Sequence, residues 1–184
     1  MNIVLIGMRG AGKTTIAKLL SQKIKKTYIE SDDLVVKKAG MSISKIVEKY
    51  GWERFRNFES NVIAGISKKD DIIISCGGGV VTRPENIKTL KQNGKIFWLQ
   101  VSINALLQRI GKDSNRPSLT GKPQKKDMEE TLKNRYELYK NAADEIIDTE
   151  NKTAEEVVNA IILRVSEANR EVQFSTSSNN TYEN

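Results

Sequence analysis

The sequence predicts an α/β fold, a parallel sheet with helices on both faces. Short apolar runs suited to buried strands alternate with stretches of helical period along the chain. The first run, Asn2–Ile6, ends at a glycine-rich turn that opens onto an amphipathic helix. The length, 184 residues with 38% hydrophobic side chains, suits one domain with its own core. In such sheets ligands bind beyond the carboxyl ends of the strands.

The elements follow in order. Asn2–Ile6 reads as a strand, and Lys13–Lys25 as a helix with Ile16, Leu19, Leu20 and Ile24 on one face. Thr27–Glu30 is a short strand, and Ser31 reads as the N-cap of a helix through Val35 and Val36. Ser42–Tyr50 and Trp52–Ser67 read as two helices, and Asp71–Ser75 as a strand centred on Ile72-Ile73-Ile74. Pro84 opens a helix that reaches about Gln92. Lys95–Val101 is a strand and Ser102–Ile110 a helix. Asp127 with Glu130 reads as the cap of a helix that reaches about Lys140. Glu145–Asp148 is the last strand, and Thr153 with Glu156 forms a capping-box pattern before Val157, Ile161, Ile162 and Val165.

Two stretches interrupt the alternation: a helical insert at about 31–67 and a polar loop at about 111–126, rich in Gly, Pro, Lys and Ser and expected to be mobile. The expected domain is 1–168, followed by a polar, disordered tail at 169–184.

Composition narrows the function. No run approaches the ~20 apolar residues of a membrane span, and no basic segment with a long apolar stretch marks a signal peptide at the start. With Cys76 as the single cysteine no internal disulfide can form, which fits a cytoplasmic protein. The absence of histidine removes imidazole bases and ligands. The formal charge of +7 favours anionic partners or a solvated basic surface. The lysines are not interleaved with aromatics as a nucleic-acid surface requires, so nucleic acid is not expected.

The decisive pattern is Gly7-Met8-Arg9-Gly10-Ala11-Gly12-Lys13-Thr14, a P-loop G-x-x-x-x-G-K-[ST]. The glycines let backbone N–H groups of Gly10, Ala11, Gly12, Lys13, Thr14 and Thr15 converge on phosphate oxygens, and the helix N-terminus adds its positive end. Lys13 can neutralise β- and γ-phosphate charge, and the Thr14 hydroxyl suits Mg²⁺. No Asn-Lys-x-Asp reads a guanine base, and the Asp71–Ser75 strand ends in Ser-Cys-Gly-Gly-Gly where a GTPase or motor usually carries Asp.

Further elements stand in a fixed order: Glu30-Ser31-Asp32, Phe55-Arg56-Asn57-Phe58-Glu59, Gly77-Gly78-Gly79, Arg116-Pro117-Ser118-Leu119 and Arg135-Tyr136-Glu137-Leu138-Tyr139. Together with the P-loop they resemble the shikimate kinases, across roughly residues 1–165. The resemblance implies a nucleoside-monophosphate-kinase-like fold with a five-stranded parallel sheet, a substrate-binding insert and a lid. It implies ATP and Mg²⁺ as cofactors and shikimate as the acceptor, phosphorylated at its 3-hydroxyl, by a protein expected to be a monomer.

On this resemblance Asp32 binds the acceptor hydroxyls, and Arg56 and Arg135 grip its carboxylate by bidentate hydrogen bonds. Gly77, Gly78 and Gly79 line the substrate, Arg116 closes over the phosphates as a catalytic group with Lys13 and Asp32, and Arg109 and Lys152 flank the adenine. Glu30 departs from the Asp usual in the family and would reach Mg²⁺ through water.

Other readings of the same residues are a salt bridge of Arg56 with Glu59, a cap at Asp32, and surface roles for Arg109, Arg116, Arg135 and Lys152. Cys76 reads as a small packing residue. Competing functions are a kinase for another hydroxy acid such as gluconate, and a non-catalytic nucleotide-binding regulator.

Overall fold

The computed structural model describes residues 1–110 and 123–178. Its elements are β1 (Asn2–Ile6), α1 (Lys13–Ile24), β2 (Tyr28–Glu30), α2 (Ser31–Ala39), α3 (Ile43–Ile66), β3 (Ile73–Ser75), α4 (Pro84–Lys91), β4 (Gly94–Gln100), α5 (Ile103–Ile110), α6 (Gln124–Ala142), β5 (Glu145–Asp148) and α7 (Ala154–Ser178). The strands form one parallel sheet of five in the order β2-β3-β1-β4-β5. This is the five-stranded parallel sheet that the resemblance implied. The strand order switches sides between β1 and β3, so the crevice for a ligand opens at the carboxyl ends of these strands.

Burial follows the apolar runs. Every residue of β1 is buried, as are Ile96–Leu99 of β4, which marks central strands covered on both faces. The edge strands β2 and β5 are only partly covered. The core includes Val4, Leu5, Ile6, Leu20, Ile73, Ile74 and Phe97, all essentially inaccessible. Truncating one such aliphatic to Ala costs about 2–5 kcal/mol, a large part of the ~5–15 kcal/mol that holds an ordinary domain together. Helix α1 packs on α7, and α2 on α3.

Two local expectations, both about helix caps, need correction. Ser31 is not the cap of α2: Glu30 occupies that position, and the Ser31 hydroxyl accepts a hydrogen bond from the Gly77 N–H at 3.0 Å. Helix α2 is helped instead by Asp32 and Asp33 in its first turn, which complement the positive helix end. Asp127 does not cap α6, which starts after Pro123; Asp127 lies within the helix and is buried. Helix α7 runs to Ser178, into the stretch read as a polar tail; residues 179–184 lie outside the described ones. The two helices expected around Gly51 meet there in a kink, Gly51 taking φ 78° and ψ 169° inside α3. The Thr153/Glu156 capping box forms as expected: the Glu156 N–H donates to the Thr153 hydroxyl, and the Thr153 N–H to the Glu156 carboxylate.

Among the described residues no helix is long and apolar enough to cross a membrane.

Candidate active site

The P-loop joins β1 to α1. Gly10 and Gly12 take φ of 80° and 88°, a region that side-chain-bearing residues seldom occupy, so the loop can turn its N–H groups inward. The Lys13 ammonium donates to the Gly7 and Met8 carbonyls at 2.8 and 2.9 Å, folded over the loop it closes. A cavity of about 450 Å³ lies against the loop, bounded by Gly10, Gly12, Lys13, Thr14, Thr15 and, at the strand ends, Glu30 and Ser75.

Glu30 and Ser75 are register partners at the ends of β2 and β3. Burial pushes the Glu30 carboxyl up from its ordinary value; the nearby Ser75 and Thr14 hydroxyls and the charge of Lys13 work against that. Here hydroxyl and carboxylate oxygens stand side by side, a donor set that suits a hard cation such as Mg²⁺. Among the described residues there is no cluster of three or more acidic or thiol side chains to cage a metal. Mg²⁺ is usually held by one or two protein oxygens together with phosphates and water, so the residues present fit it.

A further cavity touches the loop from the α7 side, lined by Ala11, Gly12, Thr15, Arg109, Thr149 and Lys152. Arg109 donates to the Thr149 hydroxyl and carbonyl at 3.2 and 2.9 Å, and Lys152 to the Asp148 carbonyl at 2.8 Å.

The second part of the site is built from side chains. Asp32, Arg56, Glu59, Gly77, Gly78, Gly79 and Arg135 border one cavity, with Ile43, Trp52, Phe55 and Met128 as apolar walls. Arg56 and Glu59 share a face of α3 and pair at 2.7 Å. Glu59 is 1% exposed. Burial pushes its carboxyl up, Arg56 beside it pulls it down, and the Asp32 charge adds to the rise. The guanidinium of Arg56 also lies 4.9 Å from the Phe55 ring centre and 5.6 Å from that of Trp52. The salt bridge and the cavity position therefore coexist at Arg56.

Arg135, on α6, donates to the Gly78 carbonyl at 3.0 Å, and the Tyr139 hydroxyl donates to that same oxygen. Burial lowers the Arg135 guanidinium from its ordinary value, and neighbouring Arg56 adds to this. Burial pushes Tyr139 up to about 12, so its hydroxyl stays a donor at neutral pH. The Tyr139 ring stacks on Trp98 at 5.5 Å, an arrangement worth about 0.5–1.5 kcal/mol.

The glycine triplet has a spatial reason. A Cβ on Gly77 would overlap the Asp32 carboxylate, and one on Gly79 the Arg56 guanidinium. Gly78 packs against the P-loop, where a Cβ would lie 3.3 Å from the Gly7 carbonyl oxygen. Cys76 is buried and its thiol is pushed far up by burial, which suits packing and not reactivity.

A family model described as shikimate kinase matches residues 9–166. The chain belongs to the shikimate kinase family. A shikimate kinase of Thermodesulfovibrio yellowstonii is 43% identical over 161 residues, covering 88% of this chain and 92% of the relative. One of Caldicellulosiruptor bescii is 39% identical over 168 residues, covering 90% and 98%. A solved shikimate kinase from Acinetobacter baumannii, in complex with shikimate, superposes with a TM-score of 0.86 at 31% identity, covering 91% of this chain and 93% of that one. Shikimate kinases are ATP-dependent phosphotransferases, and this chain is an enzyme of that kind.

Of the residues singled out in the sequence, Asp32, Arg56, Gly77, Gly78, Gly79 and Arg135 come together in one cavity. Lys13, Thr14, Thr15, Glu30 and Arg109 come together in the other. Arg116 lies outside the described residues. Sequence reasoning passed over Tyr139 and Arg9. Tyr139 carries one available signal: it follows Arg135 by four residues, so a helix places both on one face.

Proposed function

We propose that this shikimate kinase transfers the γ-phosphoryl group of ATP to the 3-hydroxyl of shikimate with Mg²⁺, using the residues described above. The observation that carries the assignment is the meeting of two cavities. The one with Arg56, Arg135 and Asp32 shares the wall of Arg9, Asp32, Gly77 and Gly78 with the one on the P-loop. A small hydroxy acid held by its carboxylate on the two arginines would present a hydroxyl toward the phosphates.

The chemistry follows from the charges. Phosphoryl transfer runs through a loose transition state, so positioning and charge stabilisation dominate. The P-loop amides and the positive end of α1 hold the triphosphate. Lys13 leaves its carbonyl contacts for the phosphate oxygens. Arg109 and Lys152 flank the adenine beside the loop. Arg56 and Arg135 fix the carboxylate, and Glu59 holds Arg56 at its orientation. Asp32 accepts the hydrogen bond of the attacking hydroxyl. The hydroxyl oxygen bonds to the γ-phosphorus, the bond to the β-phosphate oxygen breaks, ADP leaves, and the hydroxyl proton is released. Mg²⁺, held by Thr14 and through water by Glu30, would neutralise phosphate charge. Arg116 joins the phosphates on the strength of its motif alone. The cytoplasm is the expected setting, supported by a lone, buried Cys76.

The test is ADP release with saturating MgATP across a panel of hydroxy acids. Shikimate is expected to support turnover and gluconate not to. No turnover with shikimate would remove the assignment.

A further inference from the structure

Arg9 stands inside the P-loop, and nothing in the mechanism above uses it. Its position is unusual in three respects. First, it borders both cavities, and among the described side chains it is the one cation that does so. Asp32, the carboxylate at the attacking hydroxyl, is the other ionisable group at that boundary. Second, its backbone is fixed: a Cβ on Gly78 would come within 3.4 Å of the Arg9 nitrogen, so the loop and the glycine triplet are packed together there. Third, its side chain is held loosely. The Arg9 Nη2 lies 3.9 Å from the Asp127 carboxylate, beyond hydrogen-bonding distance, and Asp127 is buried on α6.

We propose that Arg9 is a catalytic residue that contacts the phosphoryl group in transit, with Asp127 as its resting partner. A group passing from the P-loop to the acceptor must cross the boundary that Arg9 lines. During that passage negative charge spreads over the three equatorial phosphoryl oxygens. A guanidinium offers those oxygens a planar fork of donors without a change of protonation. The weak ion pair with Asp127 keeps the cation near the boundary and competes little with the reacting group. Arg9 thus serves from within the loop, complementing Lys13 from its end.

This inference rests on the proposed kinase reaction, which the unsubstituted protein tests separately in the same assay. Arg9→Gln and Arg9→Lys are compared with it for kcat, for KM of ATP and of shikimate, and for binding of ADP with and without aluminium fluoride in the presence of shikimate. Aluminium fluoride with ADP mimics the phosphoryl group midway. Arg9→Gln is expected to lower kcat by about 10²-fold, the usual effect of losing one preorganised donor, with both KM values within about threefold, below the tenfold that 1.4 kcal/mol would give. It should keep ADP binding, which reports an intact loop, and lose the tightening that aluminium fluoride brings. Arg9→Lys should recover part of both. Unchanged kcat overturns the proposal. So does a rise confined to the KM for shikimate, which would make Arg9 a carboxylate ligand, and so does full retention of the aluminium fluoride effect.

Discussion

The two halves of the proposed site, a phosphate cavity on the P-loop and an acceptor cavity beside it, are made of different material. The phosphate cavity is shaped by backbone: glycines at positive φ, inward N–H groups and a helix end, all within Gly7–Thr15. The acceptor cavity is shaped by side chains from α2, α3 and α6 that meet around Gly77–Gly79. The first needs only local chain geometry to form. The second exists only once three helices have docked, and its charges are held by one another: Glu59 on Arg56, Arg135 and Tyr139 on the Gly78 carbonyl. Such a network is costly to disturb, because a buried charge left without its partner is destabilising by several kcal/mol.

Perturbations of each half should therefore differ in kind. The largest effect is expected from Lys13→Ala, which removes charge from the phosphate cavity without altering the acceptor wall. It should lower kcat by about 10²–10³-fold, while calorimetry finds shikimate affinity nearly unchanged. A matching loss of shikimate affinity would break the separation. Next is Gly79→Ala, whose methyl group displaces the Arg56 guanidinium. Loss of one charged hydrogen-bond partner, about 1.5–3 kcal/mol, corresponds to a rise of about 10–100-fold in the KM for shikimate, with the KM for ATP held. An equal rise in both would show that the two halves act as one.

Glu30 lies on the phosphate side, yet its chemistry is that of a buried side chain. Its folded pKa is raised above the ordinary 4.5. The stability it contributes is thus fully present below that value and is lost as pH rises through the folded pKa. Glu30→Gln should melt higher than the parent at pH 7, and the advantage should vanish at pH 4, in thermal unfolding without nucleotide. The same variant should need more Mg²⁺ for half-maximal rate. A melting temperature lowered at both pH values would contradict the sign. The smallest effect is expected at Thr153→Ala, in neither half: loss of the α7 cap should cost about 1 kcal/mol and about 2–4 °C in Tm.

The same contrast explains what could be read in advance. The P-loop, the strands β1 and β5 and the Thr153 capping box are local patterns, and they appear where the sequence put them. Arg56, Asp32 and Arg135, which line one cavity, were singled out through the order of short motifs. Their partners were harder to find. Tyr139 meets Gly78 across 61 positions, and Ser31 meets Gly77 across 46. A serine at a helix start satisfies every local rule for a cap, yet its hydroxyl serves a distant amide. Asp127 misled for the same reason: its residue type suits a helix start, but its burial beside Arg9 depends on how α6 docks. Lysine and arginine counts said little, since most such groups are solvated and a few are not.

The chain has two tryptophans, and they sit in contrasting surroundings. Trp52 lines the acceptor cavity edge-on to Phe55, whereas Trp98 is buried beneath Tyr139. The protein therefore carries its own optical reporter. Emission from one indole should respond when the acid enters, while the other supplies a nearly constant background, so occupancy can be followed without any attached dye.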